Sequence, residues 1–217
     1  GSYSSIGLKT NGTLWTWGIN SSGEGGQNAT SVYSYSSPVQ VPGTTWRSIS
    51  SRNYLSKIAT KTDGTLWAWG YNTYGRLGLN QSSVHKSSPT QIPGTNWSTE
   101  HMSGYNISTA IKTDGTLWTW GWNDYGVLGH NNTIDYSSPV QIPGTTWKSV
   151  TANSFLNNGN SIMFATKTDG TLWSWGSSSY GALGLNQGDS FLRRSSPTQI
   201  PGTNWNYVTG GGPCGAA

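Results

Sequence analysis

The residues that could carry chemistry are few in this sequence. There are eight carboxylates, three histidines and one cysteine among 217 residues. Catalysis needs titratable groups that converge on one point. Glu24 and Glu100 are the only glutamates and lie far apart, while Asp63, Asp114 and Asp169 each precede a glycine, which marks them as turn residues. His85, His101 and His130 are isolated, with neither an H-x-x-x-H pair nor a His/Cys cluster, so the spacing offers no zinc site and reads as surface or turn histidines. No G-x-S-x-G elbow occurs. Gly210 to Gly215 matches G-x-G-x-x-G, but it stands at the chain end with no strand-to-helix unit around it and reads as a flexible tail over 210–217. These observations imply a non-enzymatic protein with no cofactor, no metal and no catalytic residue.

Composition narrows the class further. Charged residues make up only 9%, and the net charge is +4. The basic residues are scattered, with Arg193-Arg194 the only adjacent pair, so no phosphate-tracking stripe forms and nucleic acid is not the expected partner. No apolar run is long enough for a membrane helix, and a soluble protein without membrane insertion is expected. Thirteen Trp and eleven Tyr supply the apolar mass, and 30 Gly with nine Pro indicate many turns.

These residues must be positioned by a repeat, which is the strongest signal in the chain. K-T-[ND]-G-T-L-W-x-W-G begins at Lys9, Lys61, Lys112 and Lys167, at offsets of 52, 51 and 55 residues. A second block, S-S-P-x-Q-[IV]-P-G-T-x-W, ends at Trp46, Trp97, Trp147 and Trp205. The repeat cores are therefore 9–46, 61–97, 112–147 and 167–205 of one repeat domain spanning 1–217. Asn-Gly or Asp-Gly between short apolar runs predicts a hairpin with a type I′ turn. The proline-flanked P-x-Q-[IV]-P run predicts an edge strand, Pro-Gly a type II turn, and Trp46 to about Ser50 a fourth strand. Four short strands per ~51 residues fit an all-β architecture, a β-propeller of four four-stranded blades. The last strand, Trp205 to Thr209, is expected to pair with the N-terminal strand and close the ring, or to mediate self-assembly between chains.

The motif W-G-x-N-x-x-G-x-L-G at Trp69–Gly78 and Trp120–Gly129, after the A-I-K-T-D-G-T-L hairpin, resembles the regulator-of-chromosome-condensation repeat over nearly the whole chain. Gly25 replaces the motif's leucine in the first repeat and Ser178 its asparagine in the fourth. The resemblance implies a propeller, usually of seven blades where this chain supplies four.

The Trp-x-Trp pairs have a fixed place in one strand and are expected to pack between blades. Tyr71, Tyr74, Trp122, Tyr125 and Tyr180 fall in the loop after W-G, and Tyr136, Arg193 and Arg194 lie where the repeats differ most. Residues without a turn or strand duty, in the variable part of a repeat, are where a scaffold sets its specificity. These eight are the expected binding residues on one rim. The composition suggests a surface-displayed module, extracellular, on a cell surface or on a virion, that binds protein or carbohydrate or decorates a larger assembly as a structural part. The resemblance suggests two further readings: a secreted inhibitor of an enzyme such as a β-lactamase, and a chromatin-associated exchange factor for a small GTPase.

Overall fold

A computed structural model describes residues 4–29, 32–50, 55–104, 106–154, 161–178, 181–186 and 192–208. The described residues form fifteen strands: β1 (Ser4–Leu8), β2 (Leu14–Ile19), β3 (Ser34–Val41), β4 (Trp46–Ser50), β5 (Ser56–Lys61), β6 (Leu66–Gly70), β7 (Lys86–Ile92), β8 (Trp97–Ser103), β9 (Ile107–Lys112), β10 (Leu117–Gly121), β11 (Tyr136–Ile142), β12 (Trp147–Ser154), β13 (Ser161–Lys167), β14 (Leu172–Ser178) and β15 (Leu192–Ile200). They make four antiparallel sheets, β1–β3, β4–β7, β8–β11 and β12–β15, as the repeat predicts. Within each four-stranded blade the first strand is innermost: β4 packs on β8 and β8 on β12.

The hairpin turns differ from the type I′ prediction. Only the glycine of each Asn-Gly or Asp-Gly pair has positive φ, for example Gly64 at 77°. Gly64 N–H donates to the Lys61 carbonyl (3.1 Å) and Lys61 N–H to the Thr65 carbonyl (3.0 Å). This is a type I turn followed by a left-handed glycine. The acidic residue serves a different purpose. Asp63 Oδ1 accepts from the Thr65 N–H (2.9 Å) and hydroxyl (2.6 Å), and Thr65 Oγ1 accepts from Trp67 Nε1 (2.7 Å). The same relay recurs from Asn11, Asp114 and Asp169, which explains why D-G-T-L-W is copied as a unit.

The blades are joined by the second tryptophan of each pair. Trp69, Trp120 and Trp175 are fully buried. Their indole N–H groups donate to the carbonyls of Glu24 (3.0 Å), Arg76 (2.9 Å) and Val127 (2.8 Å) in the preceding blade's loop. A Cβ on Gly78, the last glycine of the motif, would lie 2.7 Å from Trp120 Nε1, so glycine is required where the next blade's indole enters. The first tryptophan is half-buried and pairs with the repeat lysine. Lys61 Nζ sits 3.9 Å from the Trp67 ring and 4.8 Å from Trp46.

The first sheet has three strands, and Trp205–Val208 carries no strand pairing among the described residues. The expected pairing of that segment with β1 is thus not present among them. The tail and its G-x-G-x-x-G match lie outside the described residues.

Candidate functional site

The blade-to-blade joints and the upper rim come from the same loop, the one after W-G. Its asparagine is the organising residue. Buried Asn72 Oδ1 accepts from Leu77 N–H (2.9 Å), and its Nδ2 donates to the Gln81 carbonyl (2.8 Å). Asn20 and Asn123 repeat both bonds. One amide thereby clamps both ends of the loop, which in the second blade also holds a 3-10 turn at Thr73–Gly75. In the first repeat, Gly25 in place of leucine makes room for the Tyr35 ring, which a Cβ there would meet at 2.5 Å.

Held this way, the loops of successive blades place four of the expected residues in one file. Tyr74, 41% exposed with φ 63°, has its ring centroid 6.2 Å from Trp122. Trp122 meets Tyr125 edge-on at 5.2 Å, and the Arg193 guanidinium lies 5.0 Å over Tyr125. The file therefore crosses from the second blade to the fourth. Tyr71 stands behind it, 4.5 Å from the His85 ring and 4.9 Å from the Arg76 guanidinium. Arg76 is itself buried, donating to the Thr73 carbonyl and to Asn106 Oδ1.

The other expected residues are placed differently. Tyr136 is half-buried, stacked edge-on against His130 at 5.2 Å, with its hydroxyl accepting from Asn132 Nδ2 (2.9 Å). Arg194 is half-buried beside the exposed Arg193. Tyr180 lies outside the described residues. The variable stretches also carry loop duties. His85 Nδ1 accepts from Asn72 N–H (3.1 Å), and Asp135 Oδ1 accepts from Asn123 N–H (2.7 Å), at matching places in two repeats. Desolvation, then the Arg76 charge, lowers the His85 pKa. Desolvation raises that of Asp135 despite the Asn123 bond.

Sequence reasoning missed three residues of this rim. Val32, Val84 and Ile134 are exposed at 37%, 48% and 61%, each in the variable stretch before the outer strand of its blade. An apolar residue in a polar loop at equivalent places in three repeats was the available signal.

The histidines are not all surface residues, as had been expected. His101, on the axial strand β8, is buried, with Nε2 2.6 Å from Ser48 Oγ on β4. Desolvation, reinforced by the Arg47 charge, lowers its pKa to about 4. A second buried group joins the first two blades. Lys57 Nζ donates to Ser4 Oγ (2.7 Å), and burial lowers its pKa to about 8 against the opposing pull of Glu24. Glu24 is fully buried with its pKa raised, chiefly by desolvation. No group of three His, Cys, Asp or Glu among the described residues is arranged to hold a metal, and no described helix is long and apolar enough to cross a membrane.

Antiparallel blades joined by buried tryptophans, with a rim of clamped loops presenting aromatic rings, define a β-propeller array. The comparisons give the family. The profile described as the regulator of chromosome condensation (RCC1) repeat matches residues 63–111, 114–154 and 169–216, and a second profile of that description matches 1–24. The chain belongs to the RCC1 repeat family. Relatives include the ultraviolet-B receptor UVR8 of Arabidopsis thaliana, 30% identical over 65% of this chain and 31% of that protein. The human E3 ubiquitin-protein ligase HERC2 is 30% identical over 63% of this chain but only 3% of its own length. Among solved structures, human WBSCR16 superposes with a TM-score of 0.74 at 20% identity, over 91% of this chain and 50% of that one. Prp20p of Saccharomyces cerevisiae, described with its binding properties to Gsp1p and histones, superposes at 0.72 and 20% identity, over 93% of this chain and 49% of its own. The chain thus spans about half the length of these structures and less of the curated relatives.

These findings correct the expected location. Histones and ubiquitin ligases are intracellular, so an extracellular, cell-surface or virion setting does not stand. The expected carbohydrate partner finds no support among them either. The chain is an array of RCC1-type propeller repeats.

Proposed function

We propose that this domain is a non-catalytic protein-recognition module and that its partner docks on the upper rim, across Tyr74, Trp122, Tyr125 and Arg193. The observation that carries the reading is the continuous file of three aromatic rings and one guanidinium spanning three blades. Tyr, Trp and Arg are the residue types that dominate interface energetics. In this reading Tyr71, Val84, Ile134, Tyr136 and Arg194, from the same loops and the variable stretches after them, border the surface. The turns of the opposite face are polar and tied up in their own hydrogen bonds, which leaves them little to offer a partner.

Affinity capture from cell extract, comparing the native chain with the Trp122→Ala/Tyr125→Ala variant, tests the reading. Partners retained by the native chain and lost from a variant melting within a few degrees of it support the rim. Equal retention by both removes it.

The chromatin-associated exchange role is the second reading, favoured by the likeness to Prp20p and its binding to Gsp1p and histones. Its test is release of a fluorescent guanine nucleotide from a purified small GTPase of the Gsp1p kind. Acceleration by this chain supports exchange, and an unchanged rate leaves recognition without exchange.

A further inference from the structure

Most contacts between neighbouring blades are copies of one another. At each joint an indole N–H of the later blade donates to a carbonyl of the earlier one, and a glycine packs on that indole. An asparagine N–H of the earlier blade also donates to a serine carbonyl on the later blade's outer strand: Asn28 to Ser87 (2.7 Å), Asn80 to Ser137 (2.8 Å) and Asn131 to Ser195 (2.6 Å). A contact that is the same at every joint cannot tell one blade from the next. The linkers tie the blades together in sequence, but they do not stop a blade from docking out of order while the chain folds, a characteristic failure of repeat proteins.

Two positions differ at every joint. One is the residue whose carbonyl accepts the indole: Glu24, Arg76 and Val127. The other is the residue paired with that tryptophan across the later blade: Lys57 with Trp69, Ser108 with Trp120 and Met163 with Trp175. All six are buried, and each pair is complementary in its own chemistry. At the first joint Glu24 and Lys57 carry opposite charges that act on each other. At the second, the Ser108 hydroxyl donates to the Arg76 carbonyl (2.8 Å), and the Arg76 guanidinium donates to Asn106 just before the same strand. At the third, Val127 and Met163 belong to one apolar cluster with Trp175.

We propose that these six residues are an address that holds each blade to its own predecessor. The face carrying Glu24 accepts the strand carrying Lys57, the face carrying Arg76 the strand carrying Ser108, and the face carrying Val127 the strand carrying Met163. Each wrong pairing strands a buried group. Glu24 against Met163 has no counter-charge, Arg76 against Lys57 brings two cations together, and Val127 against Lys57 leaves an ammonium in apolar surroundings. Breaking a buried pair costs far more than replacing both of its members, so the selection comes from what a mismatch leaves unpaired. The rim depends on this order, because Tyr74, Trp122, Tyr125 and Arg193 come from three successive blades.

Variants of the full chain separate an address from simple packing. Lys57→Met alone sets the third joint's residue against Glu24 and should lower the melting temperature by roughly 10 °C or more. Glu24→Val/Lys57→Met copies the third joint's whole pair into the first and should melt within ~4 °C of the native chain or above it. The copy makes two joints alike. After unfolding in urea and dilution, its native tryptophan fluorescence should therefore return to about half, or less, of the fraction that the native chain regains. Glu24→Gln/Lys57→Gln is also uncharged but matches neither other joint, and it should regain the native fraction. A copied pair that melts as low as the mismatch, or that refolds as completely as the native chain, would overturn the address. Poor refolding of the glutamine pair would overturn it as well, because the loss would then follow from the missing charges and not from the duplication.

Discussion

Replacing Trp175 with Phe isolates what joins one blade to the next. Its indole N–H donates to the Val127 carbonyl at 2.8 Å, and both residues are fully buried. Phenylalanine keeps a ring in the site but leaves a buried carbonyl without its donor, which costs ~1–3 kcal/mol. The volume lost with the smaller ring adds roughly 1 kcal/mol at about 24 cal/mol per Å³ of residual cavity. The sum is about 2–4 kcal/mol. For a domain of this size each kcal/mol moves the melting temperature by ~2–4 °C, so a fall of roughly 5–15 °C is expected. Trp173→Phe, two residues away on the same strand, is the control. It loses a half-buried bond to Thr171 Oγ1 (2.9 Å) within its own hairpin, and a fall of no more than ~4 °C is expected. Calorimetry on both variants decides the matter. Equal falls would refute the claim that the second tryptophan of each pair carries the joint.

Other expected outcomes follow from the same contacts. Gly78→Ala places a Cβ 2.7 Å from Trp120 Nε1 at φ 72° and should destabilise by ~2–4 kcal/mol in urea titration, whereas Gly7→Ala, without positive φ and with its Cβ no nearer than 3.5 Å to Trp17, should cost less. His101 has a folded pKa of about 4 against an ordinary 6.5, so the unfolded chain binds the extra proton between those values. Stability is therefore full above pH ~6.5 and falls by up to roughly 3 kcal/mol as pH drops to ~4, a slope that His101→Gln should flatten. Lys57→Met removes the cation beside buried Glu24 and should cost ~3–5 kcal/mol at neutral pH, with part restored by adding Glu24→Gln; no restoration would show that the two charges are not coupled.

Much of the fold was legible because each repeat carries its own punctuation. Asp-Gly, Pro-Gly and the alternating Leu-Trp-x-Trp run mark strand ends that the structure places as read. The turn type was misread because type I′ and type I with a left-handed glycine share the Asp-Gly signature, and only the Asp63–Thr65–Trp67 relay separates them. The rim was partly legible. Tyr74, Trp122 and Tyr125 stand out as rings without a turn duty, but their assembly with Arg193 depends on which blade follows which, a tertiary fact. Tyr136 and His85 lie in variable stretches that read as exposed, and nothing local to them announces the bonds they make to Asn132 and Asn72. His101 was missed as a buried group because β8 alternates poorly, with Glu100 exposed and His101, Met102 and Ser103 buried in succession along the axis.

Hydrogen exchange on the chain, free and saturated with a captured protein partner, tests the rim most directly. The account predicts slowed exchange in residues 71–85 and 122–135, with the Asp-Gly and Pro-Gly turns near 63–65 and 93–96 unchanged. Protection confined to those turns, with the rim loops unaltered, would contradict it.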